Sequence, residues 1–581
     1  MTQPMSIHEA TAAMTADDQI FAMDEAVIRG QRLRVWRNAP ASLRSVLEMS
    51  RNHGEQDFIV YEDERLTYLQ HFDAAAAFAN ALVSAGVQPG DRVAIAMRNL
   101  PEWSVAFWGA SAAGAVVVPI NAWWTTEELT YGLNDSGSVV AVVDVERYQR
   151  VAPSLHELGQ LRHLLVVDED RRGRAGEAHE RVAVVGFHDF VGEITAGGDL
   201  PAVDIDTDAD ATIFYTSGTT GRPKGAVGTH RNAMTNLMNL FFIGQRSTLR
   251  FGGGNQDDEG NSIRNAYLLS VPLFHATGCL AILVVNLAAG GKLVVMRRFD
   301  PTRALELIER ESVTTFGGVP TMAMQILDHP NFASYDTSTV RSVSYGGAPA
   351  PPELVRRIAE TFPKGAPGNG YGMTETSAAT TMNSGPDYIA KPDSVGPPVP
   401  VTDVAIVPED YDGLEPDPDR PTGPEVTGEL WIRGPQVVRC YWNRPEETES
   451  TFGGGWLRTG DVARIDEDGF VYIVDRAKDV IIRGGENVYS VEVEAAIFTH
   501  PAVADCAVIG VPEPVLGEEV GAVIVPRPGH EVSAEELQAH VAETLAKFSV
   551  PTRIWFREEP LPRNPAGKVL KRQLRDEVVA S

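Results

Sequence analysis

Between residues 66 and 150, short apolar runs alternate with stretches whose apolar residues recur at helical spacing. Arg92-Val-Ala-Ile-Ala-Met97 predicts a strand, Pro101 to Ala113 a helix, and Ala115-Val-Val-Val-Pro-Ile120 a strand. Glu127 to Ser136 predicts a second helix and Val139 to Asp144 a third strand. Continuous apolar runs suit strands covered on both faces, and their alternation with helices implies a parallel, largely buried sheet. The rhythm returns from Tyr267 to Pro363, through Lys292–Met296, Pro301–Glu311, Thr314–Phe316 and Pro352–Thr361. Between Gly428 and Val474, strand-like runs separated by turns predict a small β-rich module. Beyond Asp475 the pattern becomes mixed α+β. The expected fold class is α/β: a large N-terminal domain of two covered βαβ-type sheets plus the β-rich module, then a small α+β C-terminal domain.

Three stretches depart from this rhythm. Trp103 to Thr126 carries no charged residue. It contains Gly109, Gly114, Pro119 and Asn121, so a buried helix followed by a strand explains it better than a bilayer span. The segment Arg246 to Asn265 is polar, glycine-rich and acidic and reads as a surface loop or insertion. Asp410 to Thr427, rich in Pro, Asp and Gly, reads as another loop.

Composition narrows the function classes. A chain of 581 residues exceeds one hydrophobic core. The net charge of −29, from 50 basic and 79 acidic residues, opposes nucleic acid and anionic membrane as partners. An anionic substrate must therefore be drawn in by local features. Cys279, Cys440 and Cys506 are far apart and form no Cys-x-x-Cys pair, which argues against a disulfide framework or a zinc site and fits a reducing cytoplasm. Met1 to Glu25 lacks the basic and apolar regions of a signal peptide, and no transmembrane segment is expected.

The most informative segment is Phe214-Tyr-Thr-Ser-Gly-Thr-Thr-Gly-Arg-Pro-Lys-Gly225, between a β-prone run and a helix expected to start near Thr229. Glycines let backbone N–H groups curl around an anion, and the hydroxyls and Lys224 add donors. The spacing Gly218-x-x-Gly221-x-x-Lys224-Gly225 is not that of Walker A.

That string resembles the phosphate loop of the adenylate-forming superfamily, which includes acyl-CoA synthetases, luciferases and peptide-synthetase adenylation domains. Companions follow in family order from about residue 40 to 575, most like fatty acid–CoA ligases. Pro272-Leu-Phe-His-Ala-Thr-Gly278 resembles the acyl-pocket motif. Ser344-Tyr-Gly-Gly-Ala-Pro349 resembles the adenine-side loop, and Asn369-Gly-Tyr-Gly-Met-Thr-Glu375 the aromatic-Gly-x-Thr-Glu motif. Trp456-Leu-Arg-Thr-Gly-Asp461 resembles the ribose motif, Val474-Asp-Arg-Ala-Lys-Asp-Val480 the hinge, and Leu561-Pro-Arg-Asn-Pro-Ala-Gly-Lys568 the terminal lysine motif.

The resemblance implies an ATP-dependent carboxylic acid–CoA ligase acting through an acyl-adenylate. ATP, Mg²⁺ and coenzyme A would be used, with a medium- or long-chain fatty acid as the first expectation. An aryl or steroid acid, or a carrier-protein acceptor, stays open, as does a homodimer. A domain boundary is expected at 475/476, with residues 476–581 mobile about Lys478. The implied nucleotide contacts are Thr216, Ser217, Gly218, Thr219, Thr220, Gly221, Lys224, Gly347, Ala348, Pro349, Asn369, Gly370, Tyr371, Gly372, Met373, Thr374, Asp461 and Arg476. Thr216 and Glu375 would hold the metal, and Gly484 and Gly485 would line the coenzyme A path. His275, Thr277, Gly278, Gly317, Gly318, Gly346 and Gly347 would form the acyl pocket. Lys568 would bridge the attacking carboxylate and the α-phosphate. His275 reads either as a core histidine or as a substrate-adjacent one, and Lys571 and Arg572 read as surface residues.

Overall fold

The computed structural model describes residues 4–168, 181–216, 222–252, 261–347, 350–362, 364–408, 411, 413–417, 426–564 and 567–580. Ser217, Gly218, Thr219, Thr220, Gly221, Ala348 and Pro349 lie outside these ranges.

Two eight-stranded sheets form the large part of the molecule. The first runs Cys440–Tyr441, Lys224–Thr229, Asp210–Thr216, Val116–Pro119, Arg92–Ala96, Val140–Asp144, His163–Val167 and Ala183–Gly186. It is parallel except at the end nearest the phosphate-loop segment, where Asp210–Thr216, Lys224–Thr229 and Cys440–Tyr441 pair antiparallel. The second runs Thr381–Ser384, Ala366–Tyr371, Ser342–Gly346, Thr315–Gly318, Ala266–Leu269, Lys292–Val295, Asp57–Tyr61 and Glu64–Thr67. It is antiparallel only at its two outermost pairs.

The uncharged stretch is the helix Pro101–Ala112 followed by the strand Val116–Pro119. Proline at the first helical position loses no intrahelical bond, and Trp103, Phe107 and Trp108 are fully buried. This helix packs on the helix Tyr68–Ser84, whose start is a capping box between Thr67 and Gln70. One apolar cluster runs from Phe58 and Leu293 of the second sheet, through both helices, to Val93 and Ile95 of the first. The sheets are thus covered by shared helices, which is why Pro101–Ala112 is buried almost all round. Among the described residues no helix is long and apolar enough to cross a membrane.

The β-rich module is a four-stranded antiparallel sheet of Asp403–Val407, Gly428–Arg433, Leu457–Ile465 and Val471–Arg476. Residues beyond it build a separate five-stranded sheet around Val503–Glu513 and Gly517–Pro526, covered by the helices Ser490–Phe498, Ala534–Ala542 and Lys571–Ala580. The loop expected over Arg246–Asn265 is corrected at its start, where the helix His230–Phe251 extends through Arg246–Phe251; residues 253–260 lie outside the described residues. Arg246 is 6% exposed, its guanidinium over the Phe242 ring, and Arg250 pairs with Asp387. Arginine stems cover apolar surface, so a polar run can continue a buried helix face.

Two buried histidines tie helices together. His71 Nε2 lies 2.8 Å from Ser104 Oγ, and His230 Nδ1 accepts from the Leu43 N–H at 3.2 Å. Burial lowers His71 to about 3 and His230 from 6.5 to about 4. Between those limits the unfolded chain binds more protons than the folded one. Their stabilisation is therefore complete above pH 6.5 and is lost as the pH falls toward 4 for His230 and toward 3 for His71. At 1.36 kcal/mol per unit, His230 alone contributes about 3 kcal/mol across that window. His230→Asn keeps an acceptor for Leu43 and should flatten the loss of stability between pH 7 and 5 in denaturant titrations; an unchanged slope would remove His230 from this account.

Candidate active site

Three parallel strands, Thr315–Gly318, Ser342–Gly346 and Ala366–Tyr371, end at one edge of the second sheet, with Gly318 beside Tyr345 and Gly346 beside Gly370. Carboxyl ends of parallel strands are where open α/β sheets bind ligands. Here they meet a cavity of about 120 Å³. Its walls bring together His275, Thr277, Gly318, Gly346, Gly347, Gly372, Met373, Thr374 and Lys568 from the sequence expectation, with Val271, Val319, Met322 and Ala378 added.

The glycines divide into two kinds. A Cβ on Gly317 would fall 1.5 Å from the Ser344 carbonyl oxygen and one on Gly278 2.3 Å from that of Pro272, and neither residue lines the cavity. These two permit backbone approach and open no acyl volume. Gly318 (φ +140°) and Gly347 (φ +73°) do face it. Gly372 admits the Ala378 carbonyl, which a Cβ would meet at 1.6 Å. Ser377 (φ 55°) and Ala378 (φ 99°) are held in left-handed conformations opposite it, a strain on the order of 1–3 kcal/mol each. The Ala379 N–H donates to Asn236 Oδ1 and Ser377 Oγ to the Gln436 carbonyl, fixing that turn.

His275 ends the Pro272–His275 turn just before a π-helix, Thr277–Leu283, a wide turn that recurs at functional sites. Its Nε2 is buried without a hydrogen-bond partner among the described residues. Burial, and secondarily the Lys568 charge, lower its pKa to about 4, so the ring is neutral at pH 7.

Thr216 and Lys224 face each other across the antiparallel pair that brackets the phosphate-loop segment. Lys224 Nζ lies 5.3 Å from the Tyr441 ring centroid, and the Tyr441 hydroxyl donates to Glu375 Oε1 at 2.6 Å. Glu375 is 5% exposed. Tyr441, absent from the sequence expectation, therefore links the segment to Glu375. Its own strand pairs with Lys224–Thr229, a contact between positions too distant in sequence for any local motif to reveal.

Asp461 and Arg476 are register partners at the end of the β-rich module. Asp461 accepts from the Tyr371 hydroxyl at 2.7 Å and from Arg476 Nε at 3.1 Å. Asn369 and Gly370 lie in the strand leading to Tyr371. Lys568 stands on a loop closed by reciprocal bonds with Asn564 and pressed on the large domain: a Cβ on Gly567 (φ +80°) would meet Val319 at 2.7 Å. Lys568 as a whole residue is exposed, yet it lines the cavity. Desolvation, then the charge of Arg476, lower its pKa, while Asp461 and Glu375 oppose the shift. Lys478 is exposed. Gly484 (φ +63°) and Gly485 (φ +92°) form a hairpin turn in the C-terminal unit and do not line the cavity. Lys571, expected at the surface, is instead half-buried in an ion pair with Glu494 at 2.7 Å, and Glu494 and Asp475 raise its pKa against the lowering effect of desolvation.

This arrangement is that of an adenylate-forming ligase, and the chain belongs to that family. The AMP-binding enzyme model matches residues 47–442, and the AMP-binding enzyme C-terminal domain matches 492–568. A feruloyl-CoA synthase of Amycolatopsis is 36% identical over 511 residues, 88% of this chain and 93% of its own. A long-chain-fatty-acid–CoA ligase of Mycobacterium tuberculosis is 34% identical over 520 residues, 89% and 94% of the two chains. The crystal structure of ATP-bound MatB from Rhodopseudomonas palustris superposes with a TM-score of 0.78 at 30% identity, covering 93% of this chain and 99% of that one. The protein is an acid–thiol ligase, with ATP, coenzyme A and a small carboxylic acid as substrates and Mg²⁺ as the family's metal.

Tyr441→Phe removes the hydrogen bond that orients the Glu375 carboxylate. A hydrogen bond to a charged group contributes about 1.5–3 kcal/mol, so acid-dependent pyrophosphate release should fall roughly tenfold or more with the fold intact by circular dichroism. Wild-type rates in that variant would dissociate Tyr441 from the site.

Proposed function

We propose that this acid–CoA ligase activates apolar monocarboxylic acids, with medium- or long-chain fatty acids as the first class. The observation behind this reading is the cavity wall: Val271, Val319, Met322, Ala276 and Ala378 are apolar, and among the described residues Lys568 is its only charged side chain. A second reading, an aryl acid, is favoured by the modest volume of about 120 Å³.

The segment from Thr216 to Lys224, with Ser217–Gly221 within it, would hold the β- and γ-phosphates. Gly347, Ala348, Pro349 and Tyr371 would receive the adenine, and Asp461 the ribose hydroxyls. Among the described residues each Asp461 oxygen has one hydrogen-bond partner, and a carboxylate offers about four lone-pair sites, which leaves room for both hydroxyls. The residues fit Mg²⁺, which keeps most of its water and phosphate ligands and takes only one or two protein oxygens. Glu375, with Oε2 outside the Tyr441 bond, and Thr216 would hold it. Bound there, Mg²⁺ supplies neutralisation of pyrophosphate charge.

In the first half-reaction a carboxylate oxygen attacks the α-phosphorus; an O–P bond forms, the bond to pyrophosphate breaks, and the acyl-adenylate results. Lys568 would bring the two anions together and stabilise the charge that develops between them. Neutral His275 would shape the acyl pocket without adding charge. In the second half the coenzyme A thiol, losing its proton, attacks the acyl carbon and AMP leaves. For this, residues beyond Lys478 would turn, withdrawing Lys568 and presenting Gly484-Gly485.

Removing one preorganised donor typically costs about 3–4 kcal/mol. Lys568→Ala should therefore lose roughly 10²–10³-fold in adenylation while sparing thioester formation from supplied acyl-adenylate. Equal loss in both halves would argue against the assignment. A pyrophosphate-release screen over fatty, aryl and steroid acids tests the substrate class, and turnover only with charged or polar acids would overturn it. Met322→Ala should shift the preferred acid toward longer or bulkier members, read as a change in the ratio of kcat/KM values. An unaltered ratio would place Met322 outside the acyl path.

A further inference from the structure

A buried polar cluster spans the boundary between the β-rich module and the C-terminal unit. Asp475, 2% exposed, is the penultimate residue of Val471–Arg476 and precedes Lys478. One of its oxygens accepts from the backbone N–H of Ser490, which begins the first helix beyond the boundary, and the other from the Arg476 N–H. The Ser490 hydroxyl in turn accepts from Lys571 Nζ at 2.7 Å, and the same ammonium pairs with Glu494 at 2.7 Å. Lys571 opens the last helix, three positions after Lys568. Thus one half-buried ammonium is joined directly to Glu494 of the C-terminal unit and, through Ser490, to the buried Asp475 of the β-rich module.

The position of Lys478 gives this cluster its meaning. The Ala477 N–H still bonds to the Gly460 carbonyl of the β-rich sheet. Rotation about the next residue would carry Ser490, Glu494 and Lys571 away together and leave Asp475 behind. The Lys571–Glu494 pair would survive that motion; the Ser490–Asp475 bond and the attraction of Lys571 for Asp475 would not. Among the described residues an ion pair between these parts, Arg527–Asp328, is 3.7 Å apart and half-exposed, so it contributes little.

We infer that Lys571, acting through Ser490 and Asp475, is a positioning residue that holds the C-terminal unit where Lys568 enters the cavity. It thereby serves acid adenylation and opposes the turn toward thioester formation. The inference rests on the two-step reading above.

The test uses the full-length enzyme and the variants Lys571→Met, Asp475→Asn and Lys571→Arg. Lys571→Met and Asp475→Asn should lower single-turnover pyrophosphate release about 10–100-fold. Conversion of supplied acyl-adenylate with coenzyme A should be unchanged or faster, and Lys571→Arg should recover most of the adenylation rate. A purely structural role would lower both halves alike, and that outcome, or no effect on either, overturns the inference. A second readout needs no turnover. Lys478 and Arg483 are tryptic sites in the boundary segment, and cleavage there in the substrate-free enzyme should accelerate at least fivefold in Lys571→Met and Asp475→Asn but not in Lys571→Arg. Wild-type cleavage rates in all three variants also overturn it. If cleavage accelerates while no tested acid supports wild-type turnover, the substrate reading fails and the positioning role stands.

Discussion

The carboxylate of Asp461 is the point on which the site depends. It receives the Tyr371 hydroxyl from the second sheet and the Arg476 guanidinium from the neighbouring strand of the β-rich module. A carboxylate only 5% exposed needs such hydrogen-bond partners to offset its lost hydration. The pairing therefore fixes three things together: the aromatic ring at the strand end, the β-rich module against the sheet, and the residue from which the chain departs toward the C-terminal unit. The proposed nucleotide pocket and the proposed hinge would thus share one carboxylate and could not be moved independently.

Around this point the site is built by close backbone approach. The ends of three parallel strands and the Gly372–Ala378 turn come within distances that side chains would forbid. Strain at Ser377 and Ala378 is held by Asn236 of a long buried helix and by the Gln436 carbonyl. The cavity is thus shaped by main chain that cannot easily relax, with Met322 and Val319 as its adjustable side chains. Chemistry common to a family can stay with the backbone while acid preference shifts with a few side chains.

What the sequence made legible follows from the range of each signal. The helix expected at Pro352–Thr361 is found with those bounds, and the strand at Arg92 ends one residue early, because local periodicity decides both. Arg246–Phe251 was misread because its polar run continues a helix held by ring and ion-pair contacts with distant residues. Gly317 and Gly318 are adjacent and look alike in sequence, yet one admits a neighbouring strand and the other faces the cavity. Tyr441 and Lys571 carry no local mark. Their partners, Glu375 and Glu494, are brought to them by the fold. The placement of Lys568 beside Gly347 was accessible only through the family resemblance.

The net charge of −29 conceals the opposite problem inside the cleft. Lys568 enters a place already occupied by the charge of Arg476 and near that of Lys478, and it is partly stripped of water on entry. A lowered ammonium pKa means that, at neutral pH and without an anionic substrate, insertion of this charge opposes docking of the C-terminal unit. An incoming carboxylate or phosphate would reverse the sign. Before it arrives, some other contact must offset the cost. The Lys571 ammonium also loses solvation, but Glu494 and then Asp475 raise its pKa; Glu494 would travel with it, so the part that favours the docked orientation is the attraction of Asp475. Two lysines one helical turn apart in sequence therefore act in opposition. One is destabilised by the pocket it would enter, and the other gains from the Asp475 carboxylate on the far side of the boundary, so that in the proposed cycle the docked orientation would be favoured before substrate supplies its own reason for it.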